Sequence, residues 1–160
     1  MDRNTQTLSY LVLSTIIGVF YNFTIIDGIP LLAKPLEQAT IDQDLTQTLH
    51  EPQIRIIDLI LAKRLHKDNI LFVDARAEEY LTDGFIPGAI ANNDVDELSE
   101  SIDELVGLDS AFVIYCSDDD CGSSEELAYE LQGYGFSNIL VFKGGWKAWT
   151  EADLAIDYND

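Results

Sequence analysis

Cys116 closes the apolar run Ala-Phe-Val-Ile-Tyr-Cys that begins at Ala111, and an amphipathic pattern starts near Ser123. This order places a thiol at a strand-to-helix turn. In such a turn the free N–H groups of the loop and helix start face the concavity, and the helix dipole favours a thiolate over a thiol. A second cysteine, Cys121, lies on the same loop. The two sulfurs can join if the backbone curls enough to bring their Cα atoms within about 7 Å. Cys121 then acts as a partner thiol; otherwise it packs under the loop.

The flanking pattern supplies the frame. Ile54, Ile57, Leu61 and Leu65 recur at helical spacing ahead of the turn signal Lys67-Asp68-Asn69, and Ile-Leu-Phe-Val from Ile70 reads as a buried strand. Val95, Leu98, Ile102 and Leu105 predict a second helix before the strand Phe-Val-Ile-Tyr from Phe112. Leu127, Ala128 and Leu131 predict a third, ended by Gly133-Tyr-Gly135, with the strand Ile-Leu-Val-Phe from Ile139 to follow. Short apolar strands alternating with helices predict an α/β fold, a mainly parallel sheet with helices on both faces. Ligands in that architecture sit at the carboxyl ends of strands, where Cys116 and Asp74 both lie.

The chain of 160 residues, 47% hydrophobic, has room for one such domain and an appendage. Its net charge of -20 argues against nucleic acid or anionic membrane surfaces as partners. Most of that charge lies beyond His50, and no Lys or Arg occurs between Arg76 and Lys143. A salt-rich habitat would also explain such a surface.

Residues 8–26, LSYLVLSTIIGVFYNFTII, are uncharged and long enough to cross a bilayer core, which needs roughly 20 residues. They read as a single transmembrane helix, since Tyr21, Asn22 and Phe23 offer no small-residue cleavage site for a signal peptide. The expected organisation is a tail over 1–7, the anchor over 8–26, a linker over 27–49 and the domain over 50–160. A short N-terminal tail that stays in the cytoplasm puts the domain outside, in the periplasm of a bacterium.

Three stretches then fall together: LFVDARAEEYLTDGFIPGAI from Leu71, VIYC with its loop and helix from Val113, and GFSNILVFKGGWKAW from Gly135. In this order they resemble a rhodanese-like domain over residues 51–156. The resemblance implies that Cys116 accepts a sulfane sulfur as a persulfide and passes it to a thiol acceptor, with no metal or organic cofactor. It implies that Asp74 and Arg76 brace the fold near the loop, and that Gly144, Gly145, Trp146 and Trp149 pack. Gly84, Pro87 and Gly88 match the family's His-Ile-Pro-Gly-Ala turn, with Phe85 in place of the histidine. A persulfide is anionic, and the amides of Ser117, Asp118, Asp119, Asp120, Cys121 and Gly122 would ring it. Ser123 or Ser124 would cap the helix, with Glu125 and Glu126 in its first turn.

The loop departs from the family in its charge. Many active members carry a basic residue there, whereas Asp118, Asp119 and Asp120 repel a dianion such as thiosulfate and raise the thiol pKa. A phosphatase would need an Arg where Gly122 stands. His50 and His66 read as surface residues, and no zinc, haem or phosphate-loop pattern occurs.

The leading expectation is a membrane-anchored sulfur carrier or sulfurtransferase using Cys116, with Cys121 as a candidate resolving thiol. Two alternatives stay open: a thiol-disulfide module of Cys116 and Cys121, and a non-catalytic domain whose acidic face docks a basic protein.

Overall fold

A computed structural model of the chain describes residues 3–24, 36–39 and 52–158. They belong to two compact units, Met1–Pro35 and Leu36–Asp160.

The described residues of the first unit form the helix α1 (Arg3–Thr24). The hydroxyls of Ser9, Ser14, Thr15 and Thr24 donate back to carbonyls three or four residues earlier, as polar side chains do in an apolar helix. Among the described residues no helix is long and apolar enough to cross a membrane. The expected transmembrane span over 8–26 falls on α1 as far as residue 24. This helix opens on the polar run Asn4-Thr5-Gln6-Thr7, and interior Ser and Thr dilute its apolar character. Ile25 and Ile26 lie outside the described residues.

The second unit is a five-stranded parallel sheet: β1 (Glu37–Gln38), β2 (Gln53–Ile57), β3 (Phe72–Asp74), β4 (Phe112–Tyr115) and β5 (Asn138–Phe142), in the order β1-β2-β5-β4-β3. The helices are α2 (Leu59–Lys67), α3 (Val95–Val106), α4 (Ser123–Gly133) and α5 (Gly145–Glu151), with a 3-10 turn at Glu78–Asp83. The strands alternate between two cores. Val113, Tyr115, Leu140 and Phe142 pack with Leu61, Leu65 and Trp149 of α2 and α5. Phe112, Ile114, Ile139 and Val141 pack with Leu98, Ile102, Leu127 and Leu131 of α3 and α4. Each central strand is thus buried on both sides, which is why it reads as an unbroken apolar run.

One expected helix is partly a strand. Ile54 and Ile57 belong to β2, paired in parallel with β5 through Ile54↔Ile139 and Ile57↔Phe142. Their spacing of three puts them on opposite faces of the sheet, in different cores, where a helix would align them. Asp58 ends the strand and starts α2, its carboxylate accepting from the Leu61 N–H at 2.8 Å.

The linker over 27–49 is described only at 36–39, where β1 pairs with β2 through Glu37↔Arg55. His50 also lies outside the described residues. His66 is more than a surface residue: its ring packs edge-on against Phe72 and Trp149, with Nε2 2.9 Å from the Pro87 carbonyl.

Candidate active site

The apolar strand β4 ends at Tyr115 in the sheet interior, so Cys116 leaves the sheet at its carboxyl edge only 3% exposed. Its sulfur is joined to Cys121, and the two Cα atoms stand 6.2 Å apart. The loop curls enough for the sulfurs to meet, as the sequence left open.

Asp118 shapes that curl. Its carboxylate accepts from the Asp120 N–H at 3.2 Å, and its carbonyl accepts from the Cys121 N–H at 3.2 Å. This is the local turn that Asp favours. Two of the six amides expected to ring a sulfur anion are therefore spent inside the loop. Asp119 and Asp120 are exposed. The Gly122 carbonyl accepts from the Glu126 N–H, opening α4.

The cap of α4 differs from expectation. Gly122 is its N-cap and no side chain caps the helix. Ser124 is buried, whereas Ser123 is exposed at the start of the helix. Glu125 and Glu126 occupy the first turn, as the dipole prefers.

Asp74 and Arg76 form a buried two-pronged pair. Arg76 Nε donates to both carboxylate oxygens at 3.0 and 3.1 Å, and Arg76 Nη2 donates to Oδ2 at 2.6 Å and to the Gly84 carbonyl at 2.8 Å. The Tyr115 hydroxyl donates to Asp74 Oδ2 and accepts from the Ile86 N–H at 3.1 Å. Burial, followed by the Asp74 charge and hydrogen bond, pushes the Tyr115 hydroxyl far above its usual range. Burial works to lower the Arg76 pKa, but hydrogen bonds and charge from Asp74 outweigh it and the net shift is upward. The pair ties the end of β3 to the Gly84 carbonyl and to Tyr115 of β4.

Two residues outside the expected site clamp the loop, and a third pairs with the helix that follows it. The Trp146 N–H donates to the Cys116 carbonyl at 2.8 Å, and the Lys147 N–H to the Ser117 carbonyl at 2.9 Å. Lys143, at the end of β5, reaches Glu125 of α4 at 2.7 Å and offsets one carboxylate of its first turn. Backbone clamps leave no trace in residue type. Lys143 was visible as the first cation after Arg76, but the partner was not.

A cleft of about 300 Å³ lies beside the first turns of α4, lined by Asp74, Arg76, Asn92, Asn93, Ser123 and Glu126 among others. With Arg76 committed to Asp74, its remaining side chains offer amides, a hydroxyl and carboxylates. Such a lining disfavours an anionic guest. Among the described residues no group of three or more His, Cys, Asp and Glu is placed to hold a metal ion.

The rhodanese-like domain family matches residues 60–152, more than half of the chain, and the protein belongs to that family. The fold is shared with the BH2092 protein of Bacillus halodurans (20% identity, 63% of this chain and 74% of that one, TM-score 0.54). It is shared also with the Alr3790 protein of Anabaena (20% identity, 64% and 82%, TM-score 0.54). A rhodanese-like domain protein of Staphylococcus aureus is a third (20% identity, 66% and 98%, TM-score 0.52). No curated protein matches the chain.

Proposed function

We propose that this rhodanese-like domain is a sulfur carrier or sulfurtransferase in which Cys116 takes up sulfane sulfur and hands it to a thiol. The observation that carries the reading is the placement of Cys116 at the carboxyl end of a central strand, in the loop that opens α4.

The reaction begins from the reduced pair, so a dithiol must first exchange with the Cys116–Cys121 disulfide, becoming a disulfide itself. The Cys116 thiolate attacks the outer sulfur of a persulfide R–S–SH, forming Cys116–S–SH and releasing R–S⁻. An acceptor thiolate then attacks the outer sulfur, taking it as a new persulfide and returning the Cys116 thiolate. No net oxidation occurs in this cycle.

Cys121 offers a second outcome, favoured by its closeness to Cys116. Its thiolate attacks the inner sulfur of Cys116–S–SH, releases HS⁻ and forms the Cys116–Cys121 disulfide. A dithiol-disulfide module is the corresponding alternative function. The two readings separate on Cys121→Ser, which spares sulfur transfer and abolishes redox cycling.

The acidic loop favours neutral or cationic donors and a basic protein acceptor over thiosulfate. The uncharged run over 8–26 carries the proposal of a membrane anchor. In α1 the side chains of Leu8, Leu11, Val12, Leu13, Ile16, Ile17 and Phe20 are exposed, and so many large apolar side chains on one helix call for a cover of lipid or protein. An outward-facing domain would meet an oxidising compartment, where its disulfide persists. Extraction of membranes with alkaline carbonate tests the anchor: release of the full chain into the supernatant would contradict it.

Sulfur uptake is tested by mass. The reduced protein should gain one sulfur from a cysteine persulfide donor, and Cys116→Ala should gain none.

A further inference from the structure

α5 touches the loop through its backbone. The Trp146 and Lys147 N–H groups hold the carbonyls of Cys116 and Ser117 at 2.8 and 2.9 Å. In a trans peptide the carbonyl and the following N–H point in opposite directions. Fixing these two carbonyls on α5 therefore turns the Ser117 and Asp118 N–H groups away from it. Loop amides so directed are the groups a sulfur anion can use.

Two features keep α5 in place for this task. Gly145 has φ +55, and a Cβ there would stand 2.3 Å from the Cys116 carbonyl oxygen, 3.0 Å from its carbon and 3.1 Å from the Ser117 carbonyl carbon. Those neighbours are backbone atoms, which no rotamer change can move. Only glycine lets α5 come this close. The Trp146 ring in turn lies 4.5 Å from the Arg76 guanidinium, which Asp74 and Gly84 hold. A Cβ on Gly84 would stand 3.2 Å from Trp146 Cη2, so the lack of a side chain there leaves room for the ring. One chain of contacts runs from Asp74 through Arg76 and the Trp146 ring to the Cys116 carbonyl.

We infer that Gly145 and Trp146 are positioning residues for the Cys116 thiol, holding the loop by its carbonyls so that the Ser117 and Asp118 amides stay turned away from α5 and free to serve a sulfur anion. This deepens the sulfur-transfer reading by assigning a role to residues that otherwise only pack. It rests on Cys116 being the reacting thiol.

The test is the pH dependence of iodoacetamide alkylation of Cys116, measured on the reduced full chain carrying Cys121→Ser. Gly145→Ala and Trp146→Leu are compared with this parent. Each should raise the apparent thiol pKa by about one unit and slow alkylation near neutral pH by about tenfold. Gly107→Ala is the control for strain alone: Gly107 has φ +77 and open space around it, at the end of α3. It should lower the melting temperature without moving the profile. Folded Gly145→Ala and Trp146→Leu proteins with the parent's profile would overturn the inference. Amide exchange in the parent needs no variant, and Trp146 and Lys147 N–H groups exchanging as fast as an open loop would overturn it as well. A parent that takes up no sulfur, beside variants that do shift the profile, would instead remove the sulfur-transfer reading and leave this one standing.

Discussion

The hydroxyl of Tyr115 donates to the carboxylate of Asp74 at 2.6 Å, across the register pair that joins β4 to β3. Tyr115 immediately precedes Cys116, and Asp74 also holds Arg76. The strand that delivers the thiol is thus tied to the ion pair that braces the neighbouring strand end. Three polar groups share one buried site: a carboxylate, a guanidinium and a phenol. A site of this kind contributes only while all its members stay paired.

Removing Asp74 should therefore be costly. Asp74→Ala leaves the Tyr115 hydroxyl without its acceptor and the buried Arg76 guanidinium with the Gly84 carbonyl but no counter-charge, and the expected loss is about 3–5 kcal/mol. Denaturant unfolding measures it. Asp74→Asn keeps an oxygen acceptor for Tyr115 and should lose less.

Tyr115 predicts an alkaline limb. Burial and then Asp74 raise its pKa in the fold above that of the unfolded chain, so the neutral hydroxyl adds stability that is fully present below about pH 10. That contribution declines as pH rises from the unfolded value toward the folded one, by at most about 1.4 kcal/mol per pH unit. Tyr115→Phe should be less stable at neutral pH by about 1–3 kcal/mol, since it strands the Ile86 N–H. Above about pH 10 it should lose stability less steeply than the wild type. Parallel slopes in the two proteins would contradict the assignment.

The three loop aspartates should separate by role. Asp118 accepts two hydrogen bonds that shape the turn, through its carboxylate and its carbonyl, whereas Asp119 and Asp120 are exposed. Asp119→Asn with Asp120→Asn should speed sulfur uptake from thiosulfate by about threefold to tenfold at low salt, with the gain shrinking at high salt. Asp118→Ala should instead slow uptake from every donor, whatever its charge. Uptake rates across a salt series distinguish the two outcomes.

Much of this site was legible in the chain because its elements are buried on both faces. The runs at Phe112 and Ile139 have no polar alternation, so they read as central strands, and the polar break after Cys116 marked the loop. β2 was misread because Ile54 and Ile57 imitate a helical repeat while serving two separate cores. β1 was invisible: Glu37 and Gln38 are polar, exposed and only two residues long. The carbonyl clamp from α5 could not be read, since it consists of backbone groups and a glycine whose need for φ above zero appears only in three dimensions. The tie between Tyr115 and Asp74 joins residues 41 positions apart, a contact that one sequence does not reveal.

Sulfur carriage by Cys116 is best tested by intact-mass measurement of the full chain, reduced, freed of reductant and exposed to a cysteine persulfide donor, with Cys116→Ala and Cys121→Ser in parallel. The account predicts one added sulfur on the wild type or, where Cys121 resolves it, released sulfide with return of the disulfide. It predicts a stable added sulfur on Cys121→Ser and none on Cys116→Ala. Sulfur uptake that survives in Cys116→Ala would contradict it, as would a Cys121→Ser protein that gains no sulfur and releases no sulfide.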